Sequence, residues 1–265
     1  MPQSYRGTHC FLSAALCVLS GPSSVCADVA ACKMRITSAF GAPGQTVRLC
    51  LLISSDLPVK GLSAAFQVDP KLSLKREEII VEAPPGLEEV ASFNLREDET
   101  CVALGIITDF SSQDIAYPKG GDVRVLVMPF RIDTSAQAGE RLWVSFQKKC
   151  GSPPIQNFLV QKPEVGQSQK CTPQEQNLVA GWIDVVSQQG PPEDLKCTLE
   201  GKSVKLSWKN VGTYKLVEIL RNGEVVAQLP GDTTQHSVTG LECSESYTFQ
   251  VKAYADCLGY EPIGL

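Results

Sequence analysis

Residues 47–53 read VRLCLLI, and this short stretch decides the fold class. Val47, Leu49, Leu51 and Ile53 occupy every second position in it. Successive side chains of a β-strand point to opposite faces, so a period of two places these four on one face. Glycine and proline turn signals flank the stretch on both sides. It therefore predicts a β-strand with one face in a hydrophobic core.

Similar segments recur about every ten residues on both sides of this strand. No window shows a helical period with capping residues. About nine short strands at such spacing predict an all-β fold, with a nine-stranded, jelly-roll-like antiparallel sandwich over residues 33–186. An irregular stretch at 148–176 interrupts the pattern. The other strand candidates are residues 34–36, 62–68, 73–81, 90–95, 101–108, 122–132, 141–147 and 177–186.

A polar, Gly- and Pro-containing linker at 187–192 separates this block from a second one. Val204, Leu206 and Trp208 alternate along the first strand candidate after it. Asn222-Gly223 then lies between two alternating segments, which is the strongest short signal for a β-hairpin. The second block, residues 193–265, is therefore predicted to be a smaller antiparallel, immunoglobulin-like sandwich.

The first 27 residues have the pattern of a secretory signal peptide. Arg6 precedes the apolar run 11–19, and a small-residue cleavage signal ends at Ala27. The run is too short to span a bilayer, which takes about 20 residues. We expect residues 1–27 to be removed and the mature chain to be secreted to the extracellular space or cell surface, without a transmembrane segment.

Eight cysteines follow the predicted signal peptide, and an even number in an exported chain indicates disulfides. Cys150 and Cys171 form the most local candidate pair. Five of the eight precede the linker and three follow it, so either one bridge crosses between the two blocks or each block keeps a free or intermolecular thiol. The connectivity stays open, because eight cysteines allow 105 pairings. The candidates are Cys32, Cys50, Cys101, Cys150, Cys171, Cys197, Cys243 and Cys257.

The second block resembles a fibronectin type III domain. The residues that carry the resemblance are Pro191-Pro192 at the entry, Trp208 at the end of Val-x-Leu-x-Trp, and Leu241 six positions before Tyr247. The resemblance implies that Tyr247 bonds back to the backbone at a corner of the sandwich. The chain leaves little room after residue 254 for a full last strand.

The first block resembles a cohesin domain, a sandwich family shared with some bacterial carbohydrate-binding modules. The resemblance rests on Gly41-x-Pro-Gly-x-Thr-Val47, on Phe66-x-Val-Asp-Pro-x-Leu72, and on Gly121-Asp-Val123 ahead of Leu126-x-Met-x-Phe-x-Ile132. Three features depart from the family pattern: Val68 stands where Tyr is usual, Pro129 interrupts a strand, and residues 148–176 are an insertion. The departures bear on dockerin-type partnering more than on the fold.

The sequence predicts no enzyme. After residue 27 it holds one histidine, His236, and no nucleophile-elbow, zinc-binding or nucleotide-binding motif. We therefore expect no catalytic residue, metal site or cofactor. Removal of residues 1–27 takes away Arg6 and no acid, which lowers the formal net charge from −5 to −6. An acidic chain gives no support to nucleic-acid binding, which needs a basic face.

Two aromatic residues are candidates for binding. Trp143 falls on the strand face opposite the apolar set of its segment, and Tyr117 lies in a predicted loop. The alternative for Trp143 is a structural role, under the insertion or in the core. We expect Trp182 and Trp208 to lie in the core.

Three functions follow from these features. The leading one is a secreted, non-catalytic interaction or adhesion protein that binds an extracellular protein partner through the cohesin-like sandwich. The alternatives are polysaccharide binding, in which Trp143 stacks on a sugar, and a structural surface component held by disulfides.

Overall fold

A computed structural model describes residues 31–98, 101–108, 115–148, 150, 154–164, 166–242 and 245–257. Their regular structure consists of β-strands and two short 3-10 helices, Arg76–Glu78 and Glu175–Asn177. The expected all-β fold class is confirmed. Within these ranges, no helix is long and apolar enough to cross a membrane. The predicted signal peptide, residues 1–27, lies outside the described residues.

The N-terminal sandwich contains fourteen strands in the described ranges, more than the nine expected. The excess arises because long segments break into short strands and because the 148–176 insertion adds two strands. The strands are Cys32–Ile36 (β1), Ala39–Gly41 (β2), Thr46–Ser55 (β3), Val59–Val68 (β4), Leu72–Leu74 (β5), Ile80–Val81 (β6), Ser92–Asp98 (β7), Cys101–Ile107 (β8), Gly120–Ile132 (β9), Arg141–Phe146 (β10), Phe158–Gln161 (β11), Gln169–Cys171 (β12), Leu178–Val179 (β13) and Gly181–Val185 (β14).

These strands form two sheets. Sheet A has the order β13-β1-β3-β9-β5, with β6 also paired to β9. Sheet B has the order β12-β11-β4-β10-β14-β2, and β8 pairs with β4 on one side and β7 on the other. Two pairs, β1 with β13 and β2 with β14, are parallel, and the other strand pairs among the described residues are antiparallel, as the sequence predicted. The final strands return beside the first ones, which closes the sandwich.

Gly181 marks the point where the chain passes from sheet A to sheet B. A Cβ atom at this position would lie 2.2 Å from the carbonyl oxygen of Thr37 and 2.5 Å from Cγ2 of Ile36. Only glycine permits this approach of two backbone segments. The parallel closure of the sandwich therefore depends on Gly181.

The core lies between sheets A and B, and the stretch 47–53 runs through it as predicted. Val47, Leu49, Leu51 and Ile53 are at most 5% exposed. They pack against apolar side chains of sheet B, and this burial is the main stabilising contribution to the sandwich. The partners include Leu62, Ala64, Phe66, Leu104, Ile106, Leu142, Val144, Leu159, Ile183 and Val185.

Two disulfides lie within the N-terminal sandwich, and they correct the expected pairing of Cys150 with Cys171. Cys171, on β12 of the insertion, is bonded to Cys32 at the start of β1. Cys150 is bonded to Cys101 at the start of β8. Nearness in sequence was a poor guide to the disulfide pairing, because the insertion packs beside strands that are remote in sequence.

The C-terminal sandwich is smaller. Sheet C has the order β15-β16-β19 and sheet D the order β18-β17-β20. The core includes Leu206, Trp208, Val217 and Ile219, so Trp208 lies where the sequence placed it. The strands are Glu193–Glu200 (β15), Ser203–Lys209 (β16), Leu216–Arg221 (β17), Glu224–Pro230 (β18), Gln235–Val238 (β19) and Phe249–Tyr254 (β20).

Two local features of this sandwich were expected from the sequence. Asn222 and Gly223 have φ angles of 54° and 88°, and they join β17 to β18 in a tight hairpin. The Tyr247 hydroxyl accepts a hydrogen bond from the backbone N–H of Glu242 at 3.1 Å. This bond is the corner contact that the type III resemblance implied.

A third disulfide joins the two sandwiches. Cys50, on the outward side of β3, is bonded to Cys257, which follows β20. Both residues are buried, in a small cluster with Leu52 and Val127 on the outer face of sheet A. The sequence left two explanations for the odd cysteine counts, and the structure shows the first of them, a bridge that crosses between the two sandwiches. Cys197 is a free, exposed cysteine, and Cys243 lies outside the described residues.

Polar contacts surround this bridge. The backbone N–H of Phe40 donates to the carbonyl of Ala255 at 2.9 Å, and the N–H of Arg48 donates to the carboxylate of Asp256 at 3.2 Å. Lys215 donates its ammonium protons to the carbonyl and hydroxyl oxygens of Ser38. Burial, and secondly a nearby Arg35, lowers the pKa of Lys215. The end of β20 is thus attached both to β2 and to β3.

Candidate binding surface

Sheet B has an outer face that points away from the core, and the binding candidates lie on it. Along β4, Leu62 and Ala64 pack into the core. By strand alternation, Gly61, Ser63 and Ala65 belong to the outer face. Because these three outward residues are small, the middle of the outer face is a depression.

A groove of about 440 Å³ lies over Gly61 and Ser63. The register places Gly105 of β8 opposite Ser63, and Ile107 opposite Gly61. Phe158 lies opposite Ser63 on the other side of β4. Small residues thus form the floor of the groove, while Phe158 and Ile107 form its walls.

The two glycines of the floor differ in what they tolerate. A Cβ on Gly61 would lie 2.7 Å from the carbonyl oxygen of Ile106, so a side chain there would force β4 and β8 apart. A Cβ on Gly105 would lie 3.9 Å from the carbonyl oxygen of Leu62, which is ordinary contact. A larger residue at 105 would therefore fill the groove without displacing the backbone.

Trp143 stands at the other end of the outer face. It lies on β10, where Leu142 and Val144 point into the core, and the residue is 45% exposed. The described residues of the insertion leave Trp143 exposed, which contradicts the alternative of a buried, structural tryptophan. Trp182 of β14 lies directly opposite, with ring centroids 5.4 Å apart and planes inclined by 53°.

An ion pair accompanies the two tryptophans. The Arg141 guanidinium lies over the Trp182 ring, 4.7 Å from its centroid, and donates to both carboxylate oxygens of Asp184 at 2.7 and 3.1 Å. The hydrogen bond to Asp184 raises the pKa of Arg141. The Trp182 indole N–H also donates to Asp184, at 3.0 Å. These contacts orient the rings, and the Trp143 ring is more exposed than the Trp182 ring.

The insertion divides the outer face between the groove and the tryptophan cluster. Cys150 and Ile155 pack over Ala65 and Ala103. Asn157 fixes this segment, because its side-chain oxygen accepts from the N–H of Ala65 at 2.7 Å. Two separate open areas result.

The structure contradicts two aromatic assignments. Tyr117 is 1% exposed, and its hydroxyl donates to the Glu82 carbonyl at 2.6 Å, so it is a core residue and not a contact residue. Burial, and secondly the Glu82 charge, raises its pKa. Trp182 lies on the outer face and is only half-buried, because β14 directs Ile183 and not Trp182 inwards.

The sequence missed the groove. Gly61 and Ser63 of its floor alternate along β4, and this pattern can be read from the sequence. Their proximity to Gly105 depends on the register between β4 and β8, which the sequence does not reveal. His236 lies on β19 and is partly buried. No cluster of three or more His, Cys, Asp or Glu side chains that could hold a metal ion occurs among the residues described.

Comparison with known proteins identifies the C-terminal unit. Residues 190–262 match the sequence model of the fibronectin type III domain. The match confirms the type III resemblance. No curated protein matches the chain.

Solved cohesin structures are similar to the N-terminal part of the chain. One is from a type I cohesin–dockerin complex of Clostridium thermocellum, with 12% identity, a TM-score of 0.45, and coverage of 59% of this chain and 99% of that one. A second is the third cohesin ScaC of Acetivibrio cellulolyticus, in complex with a dockerin, with 16% identity, a TM-score of 0.43, and coverage of 58% and 99%. A third is a type I cohesin of Pseudobacteroides cellulosolvens, with 14% identity, a TM-score of 0.46, and coverage of 59% and 93%.

Proposed function

We propose that this chain is a secreted, non-catalytic interaction protein whose N-terminal sandwich binds an extracellular protein partner through the outer face of sheet B. The observation that carries the proposal is the groove with its floor of Gly61, Ser63 and Gly105. A concave surface of small residues with apolar walls accepts a protruding apolar side chain of a partner.

The disulfides support the extracellular part of the proposal. Three bridges join cysteines that are 49 to 207 residues apart, and such bridges persist in oxidising compartments. The N-terminal pattern of residues 1–27 fits the same compartment. N-terminal sequencing of the secreted chain should begin at Asp28. A retained residue 1 would contradict this part of the proposal.

The partner proposal is tested by capture from the secreted and cell-surface fractions of the source cells. The bait is the immobilised chain, and bound proteins are identified by mass spectrometry. The test variant is Gly105→Leu, which fills the groove. The matched control is Gly121→Leu on β9, where a Cβ meets no atom within 4 Å.

We expect a protein that the unaltered chain and Gly121→Leu both enrich and that Gly105→Leu loses. Circular dichroism checks that both variants fold. Equal capture by Gly105→Leu would contradict the groove as the site. No enriched protein with any bait would contradict the function.

A second candidate function is polysaccharide binding at the tryptophan cluster. The observation that favours it is the exposed Trp143 ring beside the Arg141–Asp184 pair. An aromatic ring offers a face for a sugar ring, and the ion pair offers a donor and an acceptor for hydroxyl groups.

Retention on insoluble polysaccharides separates the two candidates. Sugar binding predicts that Trp143→Ala abolishes retention and that Gly105→Leu leaves it unchanged. Partner binding at the groove predicts capture that Gly105→Leu loses. Retention that survives Trp143→Ala would exclude the tryptophan cluster as a sugar site.

A further inference from the structure

A strip of small residues runs along the outer face of sheet B, and the groove covers only part of it. On β4 the strip consists of Gly61, Ser63 and Ala65, at successive outward positions. The register with β8 places Gly105 opposite Ser63 and Ala103 opposite Ala65. Directly opposite residues of an antiparallel pair share one face of the sheet, so these five residues form one continuous strip.

One end of the strip is occupied by the insertion. Ile155 packs together with Cys150 over Ala65 and Ala103, which are at most 1% exposed. The backbone N–H of Ile155 donates to the carbonyl of Cys150 at 2.8 Å, and Cys150 is bonded to Cys101 of β8. The chain itself therefore places a branched aliphatic side chain on this strip. The other end of the strip is the floor of the groove.

The wall of the groove that β11 provides carries a positive charge. Lys170 of β12 is exposed and lies opposite Val160, which lines the groove. Its ammonium group lies over the Phe158 ring, 4.4 Å from the ring centroid, and donates to the amide oxygen of Gln156 at 3.2 Å. Both of these contacts are neutral, and none of the described residues that line the groove is acidic.

A partner that fits the groove must therefore match an apolar floor and a positive rim. An aliphatic side chain is stabilised on the strip because its burial removes apolar surface from water. A carboxylate close to the Phe158 wall is attracted to Lys170, and beside an apolar surface this attraction is screened less than in bulk water.

We propose that the groove binds an aliphatic side chain of the partner protein that has an acidic residue one or two positions away in the partner sequence. The aliphatic side chain lies over Gly61 and Ser63, in the same manner as Ile155 lies over the other end of the strip. The acidic side chain pairs with Lys170. This inference rests on the proposed function, since it names the partner chemistry of the same groove.

The probe is a library of random peptides displayed on phage and selected against the immobilised full chain. Gly105→Leu, which fills the groove, serves for counter-selection. Lys170→Glu reverses the charge of the rim. Its matched control is Lys205→Glu, since Lys205 is also an exposed strand lysine but lies on β16 of the C-terminal sandwich. Circular dichroism checks that every variant folds.

We expect the selected peptides to share an aliphatic residue with Asp or Glu one or two positions away. A synthetic peptide of this sequence, followed by fluorescence anisotropy, should lose about tenfold or more in affinity with Gly105→Leu. It should lose about fivefold with Lys170→Glu and stay within about twofold with Lys205→Glu. Selection against Lys170→Glu should yield Lys or Arg in place of the acid.

Three results would overturn the inference. One is that no peptide prefers the unaltered chain to Gly105→Leu. Another is a selected sequence without an aliphatic residue. The third is an acidic residue that is absent, or that selection against Lys170→Glu retains. If Gly105→Leu loses a captured partner protein that Lys170→Glu still captures in full, this inference fails while the proposed function stands.

Discussion

Replacement of Cys50 and Cys257 by alanine should destabilise the C-terminal sandwich much more than the N-terminal one. In the native chain, the C-terminal sandwich is tied to its neighbour at both ends. The linker holds it after Val185, and the disulfide holds it at Cys257. When it unfolds alone, its chain therefore remains a closed loop of about 70 residues.

The expected magnitude follows from the entropy of that loop. In the chain-entropy description, a bridge that closes about 70 residues stabilises the folded state by about 4 kcal/mol. A small domain has about 5–15 kcal/mol of unfolding free energy in total, so the loss is a large share. The N-terminal sandwich keeps its other two bridges, Cys32–Cys171 and Cys101–Cys150.

Hydrogen exchange read by mass spectrometry resolves the two sandwiches. In the double alanine variant, amides of β16 should exchange about a thousandfold faster, which corresponds to about 4 kcal/mol. Amides of β3 should change little. The matched control is Cys101→Ala with Cys150→Ala, which should leave β16 unchanged. Unaltered protection of β16 in the first variant would refute the reasoning.

Three further predictions concern single side chains. Tyr117→Phe should cost about 1 kcal/mol, because it removes a buried hydrogen bond, and should leave partner capture unchanged; reduced capture by a folded variant would contradict its structural role. Tyr247→Phe should cost the C-terminal sandwich a similar amount, visible as faster exchange in β20. Burial raises the pKa of Asp122, but hydrogen bonds from Arg35 and Ser54 outweigh it and hold the pKa below its ordinary value. The pKa of Asp122 is thus lower in the folded chain than in the unfolded chain. The interactions of the Asp122 carboxylate therefore stabilise the fold fully above about pH 4, and this stabilisation is lost as the pH falls through the folded-state pKa. The stability difference between the unaltered chain and Asp122→Asn should shrink in that range, and a difference independent of pH in acid titrations would contradict it.

The two candidate areas differed in how far the sequence could predict them. Trp143 was predictable because alternation along one strand assigns each residue to a face, and its neighbours Leu142 and Val144 fix which face is buried. The prediction for Tyr117 was wrong because its segment has the composition of a polar loop. Only the folded chain shows that the ring enters the core and that the hydroxyl donates to the Glu82 carbonyl.

The groove was beyond the sequence for a different reason. Gly61 and Gly105 become neighbours only through the register of β4 with β8, and a one-residue slip would turn every side chain to the other face. The same holds for the cysteines, since pairing depends on distances that the fold creates.

The sequence alone determined the all-β class, the two sandwiches, the core faces of β3 and β10, and the corner role of Tyr247. These features depend on local periodicity, turn residues and short motifs, which act over a few residues. The tertiary structure alone decided the parallel closure at Gly181, the groove, and the bridge from Cys50 to Cys257. These depend on contacts between segments up to 207 residues apart, whose spacing no local pattern encodes.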